Sequence, residues 1–328
     1  MRILTYSALV IGLGLAVLLV AWHGAGTIAA AMATLGASVL LLPLIYAPHL
    51  VGAAASWSLL FPAGCRPAFP IVLRAVWIGT SVEAMLPAAS LGAELVKARL
   101  LIRAGCRGSD ACSSVVVDVT VQGLVLAVWA MIGLAALVLT HADATLTWPA
   151  AAGAAVMAAG IIGFLIAQRA GFLGFLAKAG ARMLRQARWR GIVDGATTLD
   201  VTFRAIYARP FRILLAVAIR CLSRSMLLVE LWLIARLMGY PIAVTDAAML
   251  LGLIGAIRAA TIVVPGGWGV QEGGFVLLGG LIGLPPEMML ALSLVTRARE
   301  VMVGVPALAV WQFLEGRTLR TLRKRRPG

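Results

Sequence analysis

Six stretches of this 328-residue chain stay apolar for the length of a bilayer crossing: Ile3–Trp22, Ala37–Phe61, Ser113–Thr140, Trp148–Ala167, Phe211–Leu237 and Met288–Leu314. In a helix, about 20 such residues reach across roughly 30 Å of hydrocarbon. Lipid offers no partner to a backbone N–H or C=O, so each run has to satisfy its own backbone as a helix. Composition agrees, with 62% of residues hydrophobic and 12% charged, where a soluble domain carries about a quarter. The expected class is an all-α polytopic membrane protein. The first run follows Arg2 as in a secretory signal, but its length is that of a span and more spans come after it.

Loop charge orients these runs. His23–Gly36 and His141–Thr147 carry no Lys or Arg, whereas Arg169–Arg212 carries nine and Arg317–Arg326 six. Positive loops stay inside, which puts both termini in the cytoplasm of a bacterial inner membrane. The net charge of +15 then belongs to a face that meets anionic headgroups, each Lys or Arg there contributing about 1 kcal/mol. Nucleic acid is not the expected partner.

Two further apolar stretches, Pro70 to about Leu101 and Asp246 to about Gly283, are broken by Pro and Gly. Neither fits as a full crossing. The first must begin and end inside, beside Arg66 at one end and Lys97, Arg99, Arg103 and Arg107 at the other. The second must begin and end outside. Re-entrant hairpins turning near Pro87 and Pro265–Gly269 satisfy every loop. Their tips also match: Leu86-Pro87-Ala88-Ala89-Ser90-Leu91-Gly92-Ala93-Glu94, and Val264-Pro265-Gly266-Gly267-Trp268-Gly269-Val270-Gln271-Glu272, each with a Glu seven after the Pro. Opposed copies of one broken motif are the sequence sign of an inverted repeat. The expected fold is thus about six transmembrane helices plus two opposed hairpins. It forms one domain over 1–316, with halves at about 1–140 and 148–316 and a basic tail at 317–328.

Helix-breaking residues within the membrane free backbone groups that must line a wet cavity or be buried in protein. Pro87 and Gly92 in the first tip, and Pro265, Gly266, Gly267 and Gly269 in the second, are therefore candidate lipid-binding positions. Glu94 and Glu272 follow the breaks. Carboxylates at that depth are costly and are candidates for function, or for hydrogen bonding to the freed N–H groups. Glu83, just before the first tip, is a weaker candidate.

The apolar runs also hold Asp118, Arg220, Arg224, Glu230, Arg258, Arg297, Arg299 and Glu300. Arg258, Arg297 and Arg220 are the expected grips on a lipid phosphate, since a guanidinium binds one bidentately. Arg220 and Arg224, four apart, share a helical face, and Arg297 and Glu300, three apart, can pair. Asp118, Arg224 and Glu300 join Glu83 and Arg220 as weaker candidates. Interhelical salt bridging is the competing reading for each.

No metal cluster, nucleophile elbow or phosphate loop appears, and His23, His49 and His141 are scattered. No cofactor is expected. Cys65, Cys106, Cys112 and Cys221 have no metal or redox spacing, and Cys106 and Cys112 fall in a basic loop that orientation places in a reducing compartment. They read as small buried side chains. Residues 169–209 are basic and amphipathic, suited to lying along the inner surface.

With these two tips, the chain resembles the transmembrane region of lysylphosphatidylglycerol synthases, a flippase-like family. The match is Leu86-Pro87…Gly92-Ala93-Glu94…Lys97-Ala98-Arg99 in the first half, and Val264-Pro265-Gly266-Gly267-Trp268-Gly269-Val270-Gln271-Glu272 with Arg297 in the second. Ala88 and Ala89 stand where a more polar tip is common. Within the family it is most similar to hopanoid-associated (HpnL-type) membrane proteins. The resemblance implies a domain that binds amphipathic lipids, of phospholipid or hopanoid and isoprenoid type, and moves them between leaflets. It does not imply aminoacylation, because the synthases continue into a cytosolic transferase domain and this chain stops at Gly328. The expected partners are membrane lipids. The competing expectations are a non-catalytic partner of lipid-biosynthesis enzymes and a membrane-embedded lipid-modifying enzyme.

Overall fold

A computed structural model describes residues 18, 21, 25–62, 65–85, 89–140, 206–261 and 267–324. Apart from residues 18 and 21, the expected span Ile3–Trp22 lies outside the described residues, as do Trp148–Ala167 and nearly all of the basic stretch 169–209. Within them every regular element is helical. In chain order these are α1 (Ala25–Ala33), a 3-10 turn (Gly36–Leu41) leading into α2 (Leu42–Ser58), α3 (Phe69–Met85), α4 (Ala89–Arg103) and α5 (Gly108–Thr140). The second half supplies α6 (Pro210–Leu237), α7 (Val244–Ala260), α8 (Val270–Leu281) and α9 (Pro286–Lys324).

The elements differ in length as the sequence demands. At 1.5 Å per residue, the 33-residue α5 is about 50 Å long, enough for a crossing. Gly36–Ser58 and Gly108–Thr140 are both long and apolar enough to span a bilayer. Helices α4 and α8, with 15 and 12 residues, reach only about 22 Å and 18 Å. Helix α4 follows α3 and packs against it, and α8 likewise follows and packs against α7.

Packing repeats between the halves. Helix α3 packs on α4 and on α9, while α7 packs on α8 and on α5; α4 packs on α5 as α8 does on α9. Exchanging the halves maps each of these pairs onto another, with α2 against α6 as the pair that maps onto itself. Small residues make the tightest crossing. A methyl on Gly252 of α7 would lie 3.0 Å from Gly133 Cα on α5, so the two backbones touch where neither carries a side chain.

Beside an apolar core, the bundle also carries large apolar side chains on its outside and charged ones within. Leu44, Leu139, Phe211, Leu222 and Leu277 are exposed at 67–82%, while Asp118 and Glu272 are at 0%. Large apolar side chains facing outward, with charges inside, suit a lipid surround.

Structure corrects one expectation. Cys65 and Cys106 are not separate buried thiols but a disulfide. Cys65 precedes α3 and Cys106 follows α4, and because α4 runs back along α3 both ends of that unit meet. Their separation of 41 residues hid the pairing. Cys112 and Cys221 are free and half-buried.

Candidate functional site

Two ion-pair clusters flank a cavity in the bundle. The first is centred on Asp118 of α5, which is fully buried. Its carboxylate accepts from Arg220 of α6, from Lys97 Nζ of α4 at 3.2 Å and from Gln122 Nε2 at 3.0 Å. Lys97 also holds Glu94, one turn earlier on α4, at 2.7 Å. Helical spacing makes this contact, since residues three apart share a face. The ammonium lies 5.4 Å from the Trp57 ring centroid, and its stem crosses Gly79 of α3, where a Cβ would stand 2.7 Å from Lys97 Cγ.

The second cluster is centred on the break before α8. Gly269 adopts φ +75°, which a side chain would oppose, and its N–H donates to Glu272 Oε2 at 2.7 Å. That reach-back from the third helical residue satisfies a donor left free by the helix start. The other carboxylate oxygen of Glu272 accepts from Ser293 Oγ at 3.3 Å and Arg297 Nε at 3.2 Å. Arg297 in turn binds Glu300 at 3.0 Å and lies 4.6 Å from the Trp268 ring centroid. Glu272 is therefore sealed by three donors from two helices.

Glu300 gathers a further network. Arg258 of α7 approaches its Oε1 at 3.5 Å and donates to Gln271 Oε1 at 2.8 Å. Arg299 pairs with Glu230 of α6 at 3.1 Å, passes 3.9 Å from Glu300 and lies 4.2 Å from the Tyr46 ring centroid. Gln271 completes the wall through Ser293 and Thr296 at 3.0 and 3.1 Å.

Between the clusters lies a cavity of about 560 Å³, within the roughly 300–1,000 Å³ usual for ligand sites. Polar groups enter it from both halves, among them Glu83, Glu94, Arg224, Arg258 and Glu300. Leu50, Leu126, Leu227 and Ile254 supply apolar wall. His49 also lines it and donates from Nδ1 to the Ser223 carbonyl at 3.2 Å, an acceptor that fixes the neutral ring's tautomer. Such a lining suits a ligand with one polar and one apolar part.

The sequence-derived candidates divide in three. Glu94, Arg258 and Gly267 line the cavity, as do Glu83, Arg220, Arg224 and Glu300. Glu272, Arg297 and Asp118 are packed behind the wall as ion-pair centres, Gly269 caps α8, and Gly92 lies within α4 outside the lining. Pro87, Pro265 and Gly266 lie outside the described residues. Lys97, Gln271, Tyr46 and His49 are site residues that the sequence does not single out, and Glu230 and Arg299 stand there only as charges in spans. A signal existed for two of them: Lys97 follows Glu94 by one turn, and Gln271 adjoins Glu272 in the tip. No group of metal-binding side chains forms among the described residues.

The family model for the lysylphosphatidylglycerol synthase TM region matches residues 9–307. The chain belongs to that family, one of membrane proteins in lipid metabolism, and its apolar helices accord with a membrane location. No curated protein and no solved structure matches it.

Proposed function

We propose, from this family membership and the cavity together, that the protein binds membrane lipids and passes them between leaflets. The observation that carries the reading is the cavity between the two halves, which charged groups enter from both, inside a bundle with large apolar side chains on its exterior. A lipid crossing the bilayer needs a polar path for its headgroup and an apolar exit for its tails, because a bare headgroup in hydrocarbon is costly. On this reading α3–α4 and α7–α8 are the two re-entrant hairpins. Glu94 of α4 and Gly267 before α8 line the cavity from opposite halves, and access alternates as one half moves against the other. Phospholipids and hopanoid or isoprenoid lipids are the candidate cargoes, the latter suggested by the sequence resemblance to hopanoid-associated members.

Leaflet exchange in liposomes tests the reading. The purified chain is reconstituted with a fluorescent phospholipid or polar isoprenoid, and loss of signal to a membrane-impermeant quencher is followed. Exchange faster than in protein-free liposomes is expected for at least one of the two. Exchange no faster for either removes translocation. Lipid that still co-purifies, identified by mass spectrometry, would then leave a binding role, such as presenting lipid to biosynthetic enzymes.

A further inference from the structure

We infer that Arg224, seated on Gly255 beside Arg258, forms an anion-binding subsite in the cavity that takes a phosphate group, free or esterified. This deepens the lipid-binding reading and rests on it, by naming the chemistry of the headgroup.

Charge partners decide which of the cavity's cations is available. Arg220 is taken by Asp118 and Arg299 by Glu230. Arg258 is shared between Gln271 and Glu300, with a third of its side chain still open. Arg224 differs from all of these. It forms no ion pair or hydrogen bond among the described residues, and its Nε is buried without a partner. The carboxylates nearby do not fill the gap: Glu94 is held by Lys97, Glu230 by Arg299, and Glu300 by Arg258, Arg297 and Arg299. Glu83 lines the same cavity but makes no ion pair with Arg224.

Position strengthens the argument. Arg224 lies one turn beyond Arg220 on α6, and its guanidinium rests against α7 at Gly255, where a Cβ would stand 2.9 Å from Nη2. Gly255 is one turn before Arg258, so the two guanidiniums occupy neighbouring turns of one α7 face. Two adjacent cations, of which only Arg258 has a carboxylate partner, repel each other in a low-dielectric wall. A phosphate is the complementary occupant, because its oxygens accept from planar N–H forks bidentately. A carbonyl or hydroxyl would supply hydrogen bonds without balancing the charge.

The test uses the full chain in a non-ionic detergent micelle, read by thermal unfolding and intrinsic tryptophan fluorescence. Three probes are titrated: inorganic phosphate, a short-chain phosphatidic acid, and the diacylglycerol of the same chain length. The wild type is expected to respond to phosphatidic acid, to inorganic phosphate, or to both. Arg224→Gln is expected to weaken that response on the order of tenfold or more, and Gly255→Ala to weaken it by displacing the guanidinium while keeping the charge. Response to phosphatidic acid alone assigns a lipid headgroup; an equal response to phosphate assigns a free anion.

Arg224→Gln also carries a second readout. Removing an unpartnered buried cation is expected to raise the unliganded unfolding temperature, whereas loss of a structural bridge would lower it. Unchanged anion response in Arg224→Gln, or a wild type that answers only to diacylglycerol, overturns the subsite. The diacylglycerol outcome leaves lipid binding itself intact. Failed leaflet exchange with an intact anion response removes translocation and leaves the subsite.

Discussion

Glu94 and Glu272 occupy the same place in two matching tips, seven residues after a proline, yet the bundle treats them differently. Glu272 is fully buried, with the Gly269 N–H, Ser293 and Arg297 all donating to it. Glu94 lines the cavity and is held by Lys97. The signs of the supporting charges are also exchanged. In the first half a carboxylate on the long helix α5 holds a cation on the short α4; in the second a cation on α9 holds a carboxylate on α8. One motif copy therefore closes its break with its own Glu. The other leaves its Glu facing the cavity and moves the structural anchor to Asp118. Matching tip sequences therefore do not give their side chains the same job.

The largest effect that would sharpen this contrast is at Asp118. Asp118→Ala leaves Arg220 buried without its carboxylate and deprives Lys97 of one, at a cost of about 3–5 kcal/mol. Loss of the monodisperse peak in size-exclusion chromatography, or a drop in unfolding temperature larger than for any other single site, is the expected result.

Next come the two tip glutamates compared directly. Glu272→Ala is expected to lose about 3 kcal/mol, because Arg297 and the Gly269 N–H lose a buried acceptor. Glu94→Gln is expected to shift stability by less than about 1 kcal/mol while slowing leaflet exchange. Equal unfolding temperatures for the two variants would break the comparison.

The smallest effect concerns the Cys65–Cys106 link, which ties together the two ends of the α3–α4 unit and has no counterpart among the described residues of the second half. Cys65→Ser is expected to destabilise by less than the roughly 2–4 kcal/mol typical of soluble domains, since helices held in a bilayer are already confined. Alkylation before and after reduction, read by mass spectrometry, should label Cys112 and Cys221 first and all four cysteines afterwards. Full labelling without reduction would remove the link. Protection from proteolysis should fall in the α3–α4 unit and not in α7–α8.

Several features were legible before any coordinate. Helical class follows from the apolar runs, because lipid forces each to satisfy its own backbone. The glycines just before α8 also act locally, with Gly267 and Gly269 both at positive φ. Contacts at helical spacing, such as Arg297 with Glu300 and Glu272 reaching back to Gly269, could likewise be anticipated. The partners of Asp118 could not, since Lys97 is 21 residues away and Arg220 is 102. Nor could the disulfide, or the status of Arg224, which depends on four helices withholding their carboxylates from it. Sequence by itself determined where the chain is helical and where it breaks, because those choices are local and set by the solvent. Tertiary structure alone decided which buried charges neutralise each other and which faces the cavity. Pairing depends on distances of a few ångströms between segments that only the folded bundle brings together.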